Sequence, residues 1–423
     1  MPTTEQDLRV NLFDLVASLG KAIDMMSAEL ASHHLKVAYL AFRIGQALNL
    51  AAEELSRLAV AGFLHDIGAF SLDERLHLME FEDSRPGDHS RAGYLLLKDF
   101  RPFQEIAEAI RFHHVPWRDG QGATEDGVAV PRDSHIVHLA DRVSVLVVKD
   151  KPILSQVDRI CAHIAKRKGS VFVPEFADAF LDIAPKDYVW LELVSDGIEY
   201  ILQKGMRARF SELGVDDLVS FSRLLCRIID FKSPFTATHS GGVASVAVAM
   251  AQKAGFSEFE RRLIEISAYL HDLGKLAIPA EILEKPGKLT NEEWQVMRTH
   301  VFYTYKILEP IEVLRTVTAW SSLHQERLNG SGYPFRCQAA DLSPGSRIMA
   351  VADVFVALTE DRPYRKGMDK ETTLTVLEGM ADLGELDVEL VGVVQNHFEE
   401  INEVRAQAQE SARREYHQFR ASL

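Results

Sequence analysis

The feature that most limits how this chain can fold is that it repeats itself. The dipeptide His-Asp followed by an apolar residue and glycine occurs as HDIG at 65–68 and again as HDLG at 271–274. Aligning the two copies brings further polar residues into register. His33 pairs with His239 and His65 with His271 at an offset of 206, while His89 pairs with His300 and His113 with His324 at 211. Asp141 pairs with Asp353 at 212. With Asp66 and Asp272 included, six positions recur in the same order at nearly constant spacing, the signature of a duplicated domain. Their neighbourhoods agree. His89 and His300 open short helical patterns (HSRAGYLLL, HVFYTYKIL), and Asp141 and Asp353 lie in HLADRVSVL and AVADVFVAL.

The length supports the same division, since 423 residues are too many for one ordinary core and suit two domains of about 200. Apolar residues recur at helical spacing in ELSRLAVAGFLHDIG, GGVASVAVAMAQKAG and FERRLIEISAYLHDLG, with glycine following as a C-terminal stop. Strand-like alternation is scarce, VFVP (171–174) being a weak candidate, and the expected fold is all-α. The boundary is expected near 200–215, after WLELVSDGIEYILQKG, giving domains 1–205 and 206–423. The stretch 150–176 reads as the tail of the first domain. The last residues, QAQESARREYHQFRASL, are charged and helix-prone and carry no functional signal.

Composition narrows the partners. The net charge of −15 disfavours duplex nucleic acid, whose binding rests on Lys and Arg contacts to phosphate. A small phosphate-bearing substrate stays compatible with it, provided metal ions and local basic residues reverse the sign at the site. The three cysteines, Cys161, Cys226 and Cys337, are far apart and lack CxxC spacing, which excludes a disulfide framework and a thiolate zinc site and suits a reducing cytoplasm. No apolar run approaches the ~18 residues of a membrane span, and the first residues lack the pattern of a signal peptide. The expectation is a cytoplasmic protein without a membrane span, with room for a homodimer.

The second copy of the repeat assembles His239, His271, Asp272, His300, His324 and Asp353. Imidazoles and carboxylates without a thiol suit Fe, Mn, Zn, Ni or Co and match Mg or Ca poorly. Adjacent side chains on a helix point about 100° apart, so His271 and Asp272 do not easily chelate one ion from outside. Set between helices, the Asp272 carboxylate can bridge two ions while His271 holds one. Two ions ~3.5–4 Å apart can clamp a phosphodiester, activate a water and stabilise the leaving oxygen.

Several motifs then converge on a known family. His239-Ser240, HDLGK (271–275), His300, ERLNGSGYP (326–334), RIMAVADVF (347–355), IPAEILEKPGKLTNEEW and DRPYRK together resemble the HD-GYP phosphodiesterases, an all-helical branch of the HD superfamily that hydrolyses cyclic dinucleotide messengers. The resemblance covers roughly 220–370. It implies that His239, His271, Asp272 and Asp353 hold one divalent transition metal and Asp272, His300 and His324 a second, with Fe or Mn favoured and Ni, Co or Zn compatible. It implies a catalytic role for Asp272 and Lys275, with Lys275 reaching a phosphate oxygen, and a substrate loop at Gly332, Tyr333 and Pro334. Arg327, Arg362 and Arg365 are candidate phosphate or guanine contacts, because the guanidinium fork suits both. The implied substrate is cyclic di-GMP or 3′,3′-cyclic GMP-AMP, opened to a linear dinucleotide. The alternatives are an HD phosphohydrolase acting on another nucleotide and an inactive dinucleotide receptor.

The departures from the family pattern are specific. The usual HHE before the GYP run is His324-Gln325-Glu326, and a glutamate found in some members is Phe235, so two metals rather than three are expected. Where VFDAL is common the chain reads VFVAL, with Val356. The first half resembles an HD domain through its ligand register alone. It keeps Glu29, His33, His65, Asp66, His89, His113, His114 and Asp141, either as an additional metal set or as relics of a duplicated site that bind nothing, yet Ala69 stands where the second half has Lys275, and no GYP loop follows. The expectation is a degenerate domain with a structural or regulatory role.

Overall fold

The computed structural model describes residues 8–24, 32–69, 87–206, 212–231, 238–283, 285, 287–361 and 366–423. The chain divides into two compact units, Asn11–Glu212 and Leu213–Ser422, with the short stretch ending at Val10 grouping with the second. Both are helical. Among the described residues the strands are two-residue pieces, such as Thr124–Glu125 paired antiparallel with Val128–Ala129. VFVP forms no strand; Phe172 makes one isolated bridge to Lys168. No described helix is long and apolar enough to cross a membrane.

Each unit is built around five helices that carry the repeat. In the first they are His33–Ala47 (α1), Ala52–Leu64 (α2), Gly87–Leu97 (α3), Gln104–Arg111 (α4) and Arg132–Val145 (α5). In the second they are His239–Lys253 (α6), Glu258–Leu270 (α7), Asn291–Leu308 (α8), Arg315–Ser322 (α9) and Pro344–Thr359 (α10), followed later by the long Phe398–Ser422 (α11). The local sequence fixes the starts. Ser257 accepts from Glu260 N while Glu260 accepts from Ser257 N, and Thr290 and Glu293 do the same ahead of α8, so two reciprocal caps set the register of α7 and α8. The apolar face of α7, including Leu263, Ile264 and Ile266, is buried.

The repeated residues occupy matching places in the two units. His33 and His239 are the first residues of α1 and α6, and His65 and His271 cap the C-termini of α2 and α7. His113 and His324 each follow α4 and α9 by two residues. The glycine of HDxG has a steric reason in both. A Cβ on Gly274 would sit 1.9 Å from the carbonyl oxygen of His300, and one on Gly68 would sit 2.1 Å from that of His89. Glycine is what lets the turn after His-Asp press against the helix that carries the next histidine.

Gly274→Ala therefore forces backbone apart and is expected to lower stability by about 1–3 kcal/mol or more. Gly379→Ala, at an exposed position of the helix Lys370–Asp382 where a Cβ meets nothing, is expected to raise it by about 0.4–1 kcal/mol. Denaturant unfolding of the two variants checks the contrast, and equal effects would remove the steric reading.

Candidate metal centre of the second unit

All six ligand candidates of the second unit are buried: His239, His271, Asp272, His300, His324 and Asp353. Three imidazoles are held alike. Nδ1 of His271, His300 and His324 donates to the carbonyl three residues earlier, on Ala268, Met297 and Ser321, at 2.7, 2.5 and 2.7 Å. The proton is thereby kept on Nδ1 and the Nε2 lone pair is presented to the centre, as a metal ligand requires. His239, the first residue of α6, uses a side chain instead. Its Nδ1 donates to Glu360 Oε2 at 3.1 Å, and its Nε2 stands 3.2 Å from Asp353 Oδ1. Gln409 of α11 donates to the same Glu360 oxygen at 3.2 Å. The C-terminal helix, silent in the sequence, thus backs a ligand.

Asp272 faces histidines on two sides. Its Oδ2 lies 3.2 Å from His271 Nε2 and its Oδ1 lies 3.5 Å from His300 Nε2. The ligand atoms of His239, His271 and Asp353 fall within 4.8 Å of one another, as do those of His271, Asp272 and His324. His300 joins the second group through Asp272 Oδ1. Burial alone would raise the Asp272 carboxyl, but His271 and Lys275 override it and hold it well below the usual carboxylate range. Burial pushes His300 down to about 4 and, helped by His271, His324 down to about 3, so both are neutral donors. His239 goes the other way, to about 10, because Glu360 and Asp353 outweigh its burial.

The Gly-Tyr-Pro loop is braced against these ligands. Glu326, buried, accepts the amides of Phe335 at 2.7 Å and Cys337 at 3.0 Å. A Cβ on Gly332 would lie 2.4 Å from the backbone of Glu326 and Arg327, so only glycine fits there. Tyr333 donates its hydroxyl to Gln325 Oε1 at 3.1 Å, while Gln325 Nε2 donates to Asp353 Oδ2 at 2.8 Å. Gln325 is a strut between the loop and a ligand, with its oxygen already engaged by Tyr333.

Above the cluster lies a cavity of about 570 Å³. His239, Asp272, His300, His324 and Asp353 form its floor, and Lys275, Lys285, Lys288, Trp294 and Tyr333 are among its walls. Trp294 is 48% exposed there, and the Arg298 guanidinium packs 4.4 Å from the Tyr333 ring centroid. Lys275 Nζ lies 2.5 Å from Asp272 Oδ2. Arg327 turns onto its own backbone, donating to the carbonyls of Glu326 at 2.9 Å and His324 at 3.3 Å. Pro334 follows Tyr333 across a cis peptide bond. Arg362, Arg365, Phe235 and Glu29 lie outside the described residues. Sequence reasoning missed Glu360, Gln409 and the wall residues Lys285, Lys288 and Trp294. The run EKPGKLTNEEW, two lysines and a tryptophan just ahead of His300, was the available signal for the last three.

Family models described as HD domain match residues 223–390 and 30–146. The chain is 30% identical over 404 residues to the 3′3′-cGAMP-specific phosphodiesterase 1 of Vibrio cholerae, covering 93% of each. The chain belongs to the HD-GYP phosphodiesterase family. It is also 26% identical to the 3′3′-cGAMP-specific phosphodiesterase 3 of that organism, over 87% of this chain and 90% of the relative. With the cyclic di-GMP phosphodiesterase response regulator RpfG of Xanthomonas campestris it shares 36% over 178 residues, 42% of this chain and 47% of the other. A crystal structure titled as a cyclic GMP-AMP specific phosphodiesterase of V. cholerae (V-cGAP3) superposes with a TM-score of 0.64 at 23% identity, covering 92% of this chain and 98% of that one. That likeness establishes the same fold.

Members of this family are metal hydrolases, and the residues present fit a metal. Nε2 of His271 is buried without a hydrogen bond, and the donors are all imidazole or carboxylate. His271→Ala or Asp272→Ala is expected to remove metal from the second unit, as metal analysis of the purified variants would show. Full retention of metal by both would overturn the ligand assignment.

Proposed function

We propose that the second unit hydrolyses a cyclic dinucleotide, with 3′,3′-cyclic GMP-AMP favoured over cyclic di-GMP, to a linear dinucleotide. The observation that carries this reading is the cavity, which sets three lysines, a tyrosine and an exposed tryptophan over a floor of ligand side chains. Lysines answer phosphates, and an aromatic face answers a base. The relatives matched along most of their length are those named for 3′3′-cGAMP, which supports that substrate. The X. campestris relative named for cyclic di-GMP is matched over 47% of its length.

His239, His271, Asp272 and Asp353 would hold one divalent ion and Asp272, His300 and His324 another, with Fe or Mn favoured. Bound there, such a pair supplies an activated water and a Lewis-acid clamp for the phosphodiester. The chain's own residues do the rest. The backbone-tethered imidazoles keep their donor atoms aimed without reorganisation. Lys275 carries positive charge at the cavity wall, within reach of a non-bridging phosphate oxygen. Tyr333, fixed through Gln325 and braced by Glu326, gives the cavity a rigid side. One water adds across one P–O bond, its oxygen staying on phosphorus and a proton passing to the departing ribose oxygen.

The first unit lacks a counterpart of Lys275 and of the Gly-Tyr-Pro loop, and we assign it a role other than hydrolysis. The test is hydrolysis of both dinucleotides by Fe- or Mn-loaded protein, with products separated over time. A linear dinucleotide is expected as the main early product, faster from 3′,3′-cyclic GMP-AMP. Cleavage of neither, or mononucleotides from the outset, would overturn the reading. Lys275→Ala is expected to keep its metal and lose turnover by ~10²-fold or more, since one contact to transition-state charge is worth about 2.7–4 kcal/mol. An unchanged rate would reduce Lys275 to a structural partner of Asp272.

A further inference from the structure

We infer that the first unit holds its own binuclear metal centre, with two divalent first-row transition ions bridged by Asp66. The geometry of the first unit carries this independently of the second. Asp66 is buried, and its two carboxylate oxygens face separate sets of histidines. Oδ2 lies 3.1 Å from His65 Nε2 and 3.9 Å from His33 Nε2. Oδ1 lies 3.4 Å from His89 Nε2 and 3.6 Å from His113 Nε2. Two groups of ligand atoms, each within 4.8 Å of one another, meet at Asp66: His33 and His65 on one side, and His89, His113 and His114 on the other.

The ring nitrogens are aimed as ligands. Nδ1 of His65 and His113 donates to the carbonyls of Gly62 and Ile110 at 2.9 and 2.7 Å, which turns both Nε2 lone pairs inward. Facing pairs of Nε2 atoms then approach closely: 3.3 Å between His33 and His65, and 3.1 Å between His114 and His89. Such spacings let one cation be shared by the rings of each pair. Oδ1 of Asp66 and Oδ1 of Asp141 are both buried without a hydrogen bond. Asp141 is ready-oriented, since Arg142 binds its Oδ2 at 2.6 Å and leaves Oδ1 3.4 Å from His33 Nε2. Ala69 occupies the place that Lys275 takes beside Asp272, and among the described residues no lysine pairs with Asp66.

The test uses the full chain and counts metal. With the second site disabled by His271→Ala and Asp272→Asn, the protein should still retain about two ions per chain. Loaded with Mn(II), it should give an exchange-coupled multiline electron paramagnetic resonance spectrum. Adding Asp66→Asn should abolish that spectrum, with circular dichroism confirming that the helices persist. Should that variant misfold, the half-buried His114→Gln removes one ligand and is expected to weaken Mn(II) binding tenfold or more. A disabled-site protein that retains no metal, or that shows only isolated-ion Mn(II) signals, would overturn the proposal. None of these readouts involves hydrolysis, so failure here leaves the reading of the second site standing.

Discussion

A carboxylate buried at the meeting point of several helices governs the second unit. Leaving Asp272 charged and away from water is unfavourable by several kcal/mol unless positive or donor groups converge on it. Lys275, His271 and His300 converge from a 3₁₀ turn at Leu273–Ala277, the end of α7 and the middle of α8. The glycine at 274 exists so that the turn can approach the His300 backbone closely enough for this to happen. The helix caps at Ser257 and Thr290 fix the phase at which α7 and α8 deliver their histidines. Local sequence, packing and site chemistry therefore answer to one atom group.

Much of this was legible in the sequence because the duplication supplied its own control. Positions that recur 206–212 residues apart, from helix start, helix end and helix interior, are hard to explain by surface composition. The six repeated positions are brought together in space in each unit, and both units are helical. What escaped was the support. Glu360 touches His239 across more than a hundred residues, and Gln409 reaches Glu360 from α11. Neither follows from periodicity, since a charged C-terminal helix reads as solvent-facing until its neighbour is known. Gln325, which stands where the family pattern has a second histidine, links Tyr333 to Asp353 through its amide. Arg327, a candidate substrate contact, donates to the carbonyls of Glu326 and His324, two partners that proximity in sequence to the loop does not reveal.

The two units solve one orientation problem differently. At the first residue of α6 the imidazole of His239 leans on a carboxylate, while His33 at the start of α1 has its Nδ1 3.3 Å from the Ser144 hydroxyl. A carboxylate partner strengthens the donor character of the ring more than a hydroxyl does. Asp141 is paired with Arg142, whereas its counterpart Asp353 takes a neutral amide from Gln325. Duplication has kept the inward-facing atoms and varied what stands behind them.

The contact between Lys275 and Asp272 gives one ammonium group two duties. Its Nζ sits 2.5 Å from Asp272 Oδ2, and the same side chain lines the cavity. An ammonium carries three N–H donors, so a single carboxylate oxygen engages only part of its capacity. The group that offsets the charge of a buried aspartate is thus the group that brings positive charge to the cavity wall.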